Sequence, residues 1–408
     1  MRKRSLPLVP GVCAFLLNSP CGGTESITPA GESNIFPAST TRENGFTPWL
    51  RAEVPRDWQF PRDHGAHPEY RTEWWYIVSN LRTKDGRRFG AQITFFRHGL
   101  SSRGRQVPHP GQQPSPWRAD DVHFAHFAIT DEQGNRHLHA ERINRPAYGR
   151  AGASETSVDV WNADWRLSGE EAMQGTGDAD SPFSASWHAA YGDFSATLRI
   201  TAAKPLVFQG ERGLSQKSAD VGNASHYYSF TRLATTGEIR IGEETFAVEG
   251  WSWMDREFST SALGADQRGW DWFAIQLDNY TEIMLYHMRR ADGTYDPLSK
   301  GLFIHTDAAT TVLSSADFEI TALNTWRSPK TGGTYPSGWR VKIPAREIDI
   351  TITPLIKNQE LILPGLGNIS YWEGACNVGG TVGGSAVTGA AYVELTGYAG
   401  DIAAAMRR

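Results

Sequence analysis

Short apolar or alternating runs, cut at close intervals by turn residues and nowhere separated by a stretch of helical period, most limit what this chain can fold into. The runs fall at 73–81, 90–96, 123–130, 194–201, 226–233, 270–277, 282–288, 346–354 and 389–396. Between them stand turn formers such as Lys84-Asp85-Gly86, Glu132-Gln133-Gly134-Asn135, Thr236-Gly237 and Ala291-Asp292-Gly293-Thr294. Parallel strands need a crossover of about a dozen residues, usually a helix, so the pattern predicts an antiparallel all-β protein of sandwich or barrel type. At 408 residues the chain is long enough for two such units, since domains run to roughly 100–200 residues. An echo of Thr72-Glu73-Trp74-Trp75-Tyr76 in Ser370-Tyr371-Trp372-Glu373-Gly374 supports a duplication. The expected boundary lies between 228 and 245, where 232–238 reads as a loop, giving barrels over 55–235 and 236–402.

A formal net charge of -5 argues against a polyanionic partner, because a nucleic-acid binder carries a basic face. Fifteen tryptophans, thirteen tyrosines and eighteen phenylalanines favour strands and surfaces that grip apolar ligands. The start of the chain has the form of an export signal: Arg2, Lys3 and Arg4 precede a short apolar run at 6–17. That run is too short to span a bilayer. Residues 1–21 are therefore expected to be removed on export, and Cys21 followed by two glycines is a candidate lipid anchor that would attach the protein to a membrane. Residues 22–54 have the composition of a flexible tether. Cys376 is then left without a disulfide partner in the mature chain.

Chemistry concentrates in residues 250–273, where Asp255, Arg256 and Glu257 stand beside Trp251, Trp253, Trp270 and Trp272. Carboxylates among indoles lose solvation, which raises their pKa. The same pattern suits a buried ion pair under aromatic packing, and a pairing of Arg256 with Asp255 would lower that pKa instead. Alternation places Trp270 and Trp272 on one face of a strand and Asp271 on the other, and places Tyr286 with Met284 and Met288. His64 and His67 before the 73–81 run, and His123 and His126 within the next, are spaced as metal ligands could be. In a strand, residues three apart face opposite ways, which argues against one metal on the second pair; no metal and no cofactor are expected. Lys217 and His226 form a further polar-aromatic cluster that could face Asp255. Nucleophile elbows, phosphate loops and dinucleotide fingerprints are missing from the sequence.

Six strings in order, PRDHGAHPEYRTEWWYIVSNL, VHFAHFAITD, GLSQKSADVGNASHYYSFTRL, VEGWSWMDREFS, GWDWFAIQLDN and YWEGA, resemble the lipocalin-like family that includes carotenoid 1,2-hydratases and AttH-type proteins described as secreted hydrolases. The likeness extends over residues 55–400 and is greatest to the AttH-type branch. It implies two tandem lipocalin-like antiparallel β-barrels, export to the periplasm or cell envelope, and an apolar, isoprenoid- or lipid-like molecule as ligand or substrate. Family members include hydratases and cyclases, and the AttH-type branch is associated with ABC exporters.

If the chemistry is hydration of a C=C bond, an acid must protonate the alkene and the resulting cation must be tolerated. Asp255 is then the proton donor, with Glu73 or Glu257 in its place if Arg256 neutralises it. Trp74, Trp253, Trp270, Trp272 and Tyr286 would line the ligand site with His226, His64 and His123. A carrier or accessory protein of an exporter would need the cavity but no proton donor, and a purely structural module would need neither.

Overall fold

The computed structural model describes residues 46–101, 104–106, 115, 117, 119–170, 183–261, 263–366 and 369–400. The expected signal, Cys21 and most of the tether lie outside the described residues. Among the described residues there is no α-helix, only short 3₁₀ turns. The strands among the described residues form a 13-stranded and a 10-stranded sheet, with two small two-stranded ribbons. These are the expected tandem antiparallel barrels, the first nearly closed and the second a half-barrel.

The first sheet runs, edge to edge, through Arg136–Asn144, Asp121–Asp131, Arg88–Gly99, Thr72–Arg82, Glu244–Ser259, Ala224–Ile241, Phe194–Ala202, Ser184–Tyr191, Trp165–Gly169, Asp159–Asn162 and Ala151–Ala153. Its first long strand, Thr72–Arg82, thus pairs with its last, Glu244–Ser259. Side chains stitch the seam between the far edges: Asn144 Nδ2 donates to Asn162 Oδ1 at 2.5 Å and Asn162 Nδ2 to the His123 carbonyl at 3.1 Å. Alternate residues, among them Trp75, Ile77, Phe95, Phe127, Trp165, Trp187 and Phe230, fill the interior as one apolar core. Pairing into a closed or near-closed sheet satisfies backbone groups that an open edge would leave exposed.

The second sheet runs through Thr310–Ser314, Lys300–Ile304, Glu282–Arg290, Gln267–Leu277, Ser385–Ala399, Ile369–Val382, Ile348–Pro354, Trp339–Ile343 and Glu319–Ala322. Phe273, Ile275, Leu285, Trp339, Ile350 and Trp372 build its own core. A third cluster joins the two sheets: Tyr76, Val78, Tyr227 and Trp253 from the first meet Trp272, Met284, Tyr286 and Tyr392 from the second.

The change of sheet falls between Ser259 and Gln267, not between 228 and 245. The segment 232–238 is strand, paired with Phe194–Ala202, and Gly237, at φ +153°, lies so close to that neighbour that an added Cβ would sit 2.1 Å from the Thr197 carbonyl oxygen. A glycine within a strand here marks close backbone approach rather than a turn. The folded part also begins earlier than residue 55. Phe46–Thr47 pairs with Arg105–Gln106, and Trp49 Nε1 donates to the Ser101 carbonyl at 2.7 Å.

Candidate active site between the two sheets

Both barrel interiors are packed with apolar side chains, and a cavity of about 410 Å³ opens between the sheets instead. Its volume falls in the range of small-molecule sites, ~300–1,000 Å³. Period-two alternation decides which residues reach it. From the first sheet come Trp74, Tyr76, Thr94, Phe96, His126, Tyr227, Asp255 and Glu257; from the second come Trp270, Trp272, Tyr286, Met288, Tyr371, Glu373 and Glu394. The two strands carrying the sequence echo therefore face each other across it, Trp74 and Tyr76 opposite Tyr371 and Glu373.

Asp255 is buried in this wall. Ser229 Oγ and Trp253 Nε1 both donate to Oδ1, at 2.6 and 2.7 Å, and the Tyr227 hydroxyl lies 2.5 Å from Oδ2. Burial raises its pKa to about 7, the hydrogen bonds from Ser229, Tyr227 and Trp253 opposing and the Glu257 charge adding to the rise. Oδ1 thus accepts two hydrogen bonds and Oδ2 one, from Tyr227. Trp272 Nε1 donates to the Tyr227 oxygen at 3.3 Å, so Tyr227 is held between Asp255 and the second sheet.

Arg256 points the other way and does not pair with Asp255. Its guanidinium lies 3.9 Å from the Trp75 ring centroid, bonds the Gly65 carbonyl at 2.5 Å and forms a buried ion pair with Glu73. Glu73 is also bound by Arg97 and by the His67 backbone N–H at 3.0 Å. Burial opposes its ionisation, but Arg97 and Arg256 hold its pKa well below the usual carboxylate range. Glu73 and Arg256 are thus a structural ion cluster on the face away from the cavity, and the expectation that Glu73 stands second as proton donor is corrected. Glu257 does line the cavity, bonded by Ser225 and paired with Lys217 Nζ at 3.0 Å.

The aromatic expectations divide in the same way. Trp74, Trp270, Trp272 and Tyr286 line the cavity, whereas Trp253 does not touch it and instead holds Asp255. His64, His123 and His226 are corrected as ligand contacts: none lines the cavity, His64 because it sits on the 3₁₀ turn Arg62–His64 and packs against Phe60 and Phe183, His123 and His226 because their strands turn them from it. His64 Nδ1 sits 2.6 Å from the Tyr228 hydroxyl. His226 packs at 5.2 Å against Phe258. Burial lowers the pKa of His64 and His226 to about 3 and that of His123 to about 4. His126 is the histidine that reaches the cavity, its Nδ1 2.8 Å from the Tyr371 hydroxyl. Among the described residues no group of three or more His, Cys, Asp or Glu could hold a metal ion.

Sequence reasoning missed Glu373 and Glu394, which stand directly opposite each other on neighbouring strands. The signal was present as alternation in Tyr371-Trp372-Glu373 and Tyr392-Val393-Glu394, but only the hairpin register brings the two acids together. Trp270 Nε1 donates to Glu394 Oε2 at 2.7 Å. Burial raises the pKa of Glu394 to about 7, Trp270 opposing and the Asp255 and Glu257 charges adding.

A family model for AttH-like proteins matches residues 51–398. The chain belongs to the AttH-like family. A crystal structure of a protein assigned as AttH from Nitrosomonas europaea superposes with a TM-score of 0.73 at 31% identity, covering 86% of this chain and all (100%) of that one. Kievitone hydratase from Nectria haematococca matches with a TM-score of 0.62 at 15% identity, covering 87% of this chain and 97% of that one; at that identity the likeness is one of fold. No curated protein matches the sequence significantly. The AttH-like fold is therefore shared with a hydratase, and the site must carry the functional argument.

Proposed function

We propose that this AttH-like chain is a hydratase-like acid catalyst that adds water to a C=C bond of an apolar, isoprenoid- or lipid-like molecule held between the two sheets. One observation carries the reading: Asp255, a carboxyl with a pKa of about 7, is shielded from bulk solvent and lines a cavity walled by aromatic rings. A carboxylic acid kept neutral near pH 7 is the group that proton delivery to an alkene requires, and general acid catalysis contributes typically ~10²- to 10⁴-fold.

In this reading the Asp255 carboxyl proton passes to the alkene carbon and leaves a carbocation on its neighbour. The ring faces of Trp74, Trp272 and Tyr286 line the same space and would stabilise that charge, by about 2 kcal/mol where desolvated. Lys217 would repel it, but its ammonium is paired with Glu257 at 3.0 Å, so the local charge is balanced. Tyr227 and Trp253 act as positioning residues that fix the orientation of the acid. Export, with lipid attachment at Cys21 and service to an ABC exporter, fits the basic start and short apolar run of the sequence and is part of the same proposal.

The test is incubation of the purified protein with linear isoprenoids that end in a trisubstituted double bond, such as squalene and geranylgeraniol, in heavy-oxygen water. Incorporation of one labelled hydroxyl, detected by mass spectrometry, is the expected result. Recovery of bound but unchanged isoprenoid would favour a carrier.

A further inference from the structure

Hydration needs a base as well as an acid, because the attacking water must lose a proton. Asp255 cannot serve as both in one step. On the opposite wall, Glu373 and Glu394 occupy facing positions of the Ile369–Val382 and Ser385–Ala399 strands, where opposed Cβ atoms lie ~4.5–5.5 Å apart. Both side chains line the cavity. Two carboxylates so placed cannot both ionise readily, so the pair keeps a proton.

The surroundings divide the roles. Glu394 is partly open to the cavity and its Oε2 is fixed by the Trp270 indole at 2.7 Å. Glu373 is 1% exposed, and neither of its carboxyl oxygens has a hydrogen-bond partner. The hydroxyls of Tyr76 and Tyr371 lie near enough to favour its ionised form without aligning on either oxygen, but burial and the Glu394 charge outweigh them and raise its pKa well above the carboxylate range. Also facing the pair are Tyr392, whose hydroxyl is likewise unpartnered, His126, Asp255, and the Lys217–Glu257 ion pair.

We propose that Glu394 is the general base that takes the proton from the attacking water, with Glu373 as its neutral, proton-holding partner. The inference rests on the hydratase-like reading. The Asp255 carboxyl gives its proton to one alkene carbon; a water oxygen bonds to the cationic neighbour; the proton released goes to the Glu394 carboxylate. Substrate has then gained one H and one OH, Asp255 is ionised and Glu394 protonated. One proton moving from Glu394 to Asp255 through water in the opened cavity restores the starting state. Acid and base thus sit on different sheets, and the site is complete only where the two meet.

Two measurements decide it. In the isoprenoid hydration assay, Glu394→Gln should lower kcat by roughly 10²-fold or more, leave KM within a few-fold, and remove the acid-side limb of the pH–rate profile. Infrared spectra at about pH 9, where the Asp255 carboxyl is ionised, should show a protonated-carboxyl band that Glu373→Gln removes. A Glu394→Gln enzyme that keeps its acid-side limb, or a band at about pH 9 that survives Glu373→Gln, overturns the pair. Asp255→Asn separates this from the parent reading. If Asp255→Asn abolishes turnover and Glu394→Gln keeps the limb, only the base assignment falls. If Asp255→Asn is fully active, the acid-catalysis reading falls and the base role with it.

Discussion

Replacing Asp255 by Asn should make the protein more stable at alkaline pH. The asparagine keeps the shape of the neutral acid: its Oδ1 can accept from Ser229 and Trp253, and its amide can donate to the Tyr227 oxygen. What it removes is the ionisation. The Asp255 carboxyl has a native pKa of about 7, raised from 3.8, so the native state holds the proton more tightly than the unfolded chain. Its contribution to stability is full below the unfolded value and is lost as pH rises through about 7. About three pH units at ~1.4 kcal/mol each give ~4 kcal/mol of pH-dependent destabilisation above neutrality that the variant escapes. Thermal melts of the two proteins should therefore coincide most closely near pH 4 and diverge by pH 9, with Asp255→Asn melting several degrees higher. A variant that loses stability equally at both pH values would show that Asp255 is an ionised, structurally compensated carboxylate, and the reasoning would fail.

Glu73→Gln should behave in the opposite way. It leaves Arg256 buried without a carboxylate and Arg97 with Asp121 alone, a loss of about 3–5 kcal/mol that urea denaturation would read; a loss under about 1 kcal/mol would contradict the structural role. Trp74→Ala removes a cavity wall that carries no side-chain hydrogen bond to Asp255, and should weaken binding of geranylgeraniol by about 1–2 kcal/mol, roughly ten-fold. Unchanged affinity in a fluorescence titration would place the ligand elsewhere. Mass spectrometry of protein recovered from native cells should find residues up to about 21 removed, with an intact Met1 terminus as the contrary result.

The fold was largely legible because its signal is local. Turn residues between short β runs specify antiparallel strands, and alternation correctly put Trp270 with Trp272, Tyr286 with Met288, and His126 on a different face from His123. The same rule separates Asp255 from Arg256, neighbours in sequence that must face opposite sides of one strand. What the sequence could not convey is register. Glu73 becomes a structural anion because Thr72–Arg82 and Glu244–Ser259 align it opposite Phe258, within diagonal reach of Arg256. Glu373 and Glu394 meet only through a hairpin register, and their pKa values depend on a second sheet closing over them. Gly237 misled for a related reason: its need for close backbone approach is set by a neighbouring strand, and a glycine beside threonines reads locally as a turn.

The central claim, that a neutral carboxyl between the sheets delivers a proton to an apolar alkene, is tested most directly by comparing binding and turnover of one isoprenoid in wild-type and Asp255→Asn protein. The account predicts that the variant binds geranylgeraniol with nearly unchanged affinity and incorporates no labelled hydroxyl, while wild type does. Equal incorporation by both proteins would contradict it.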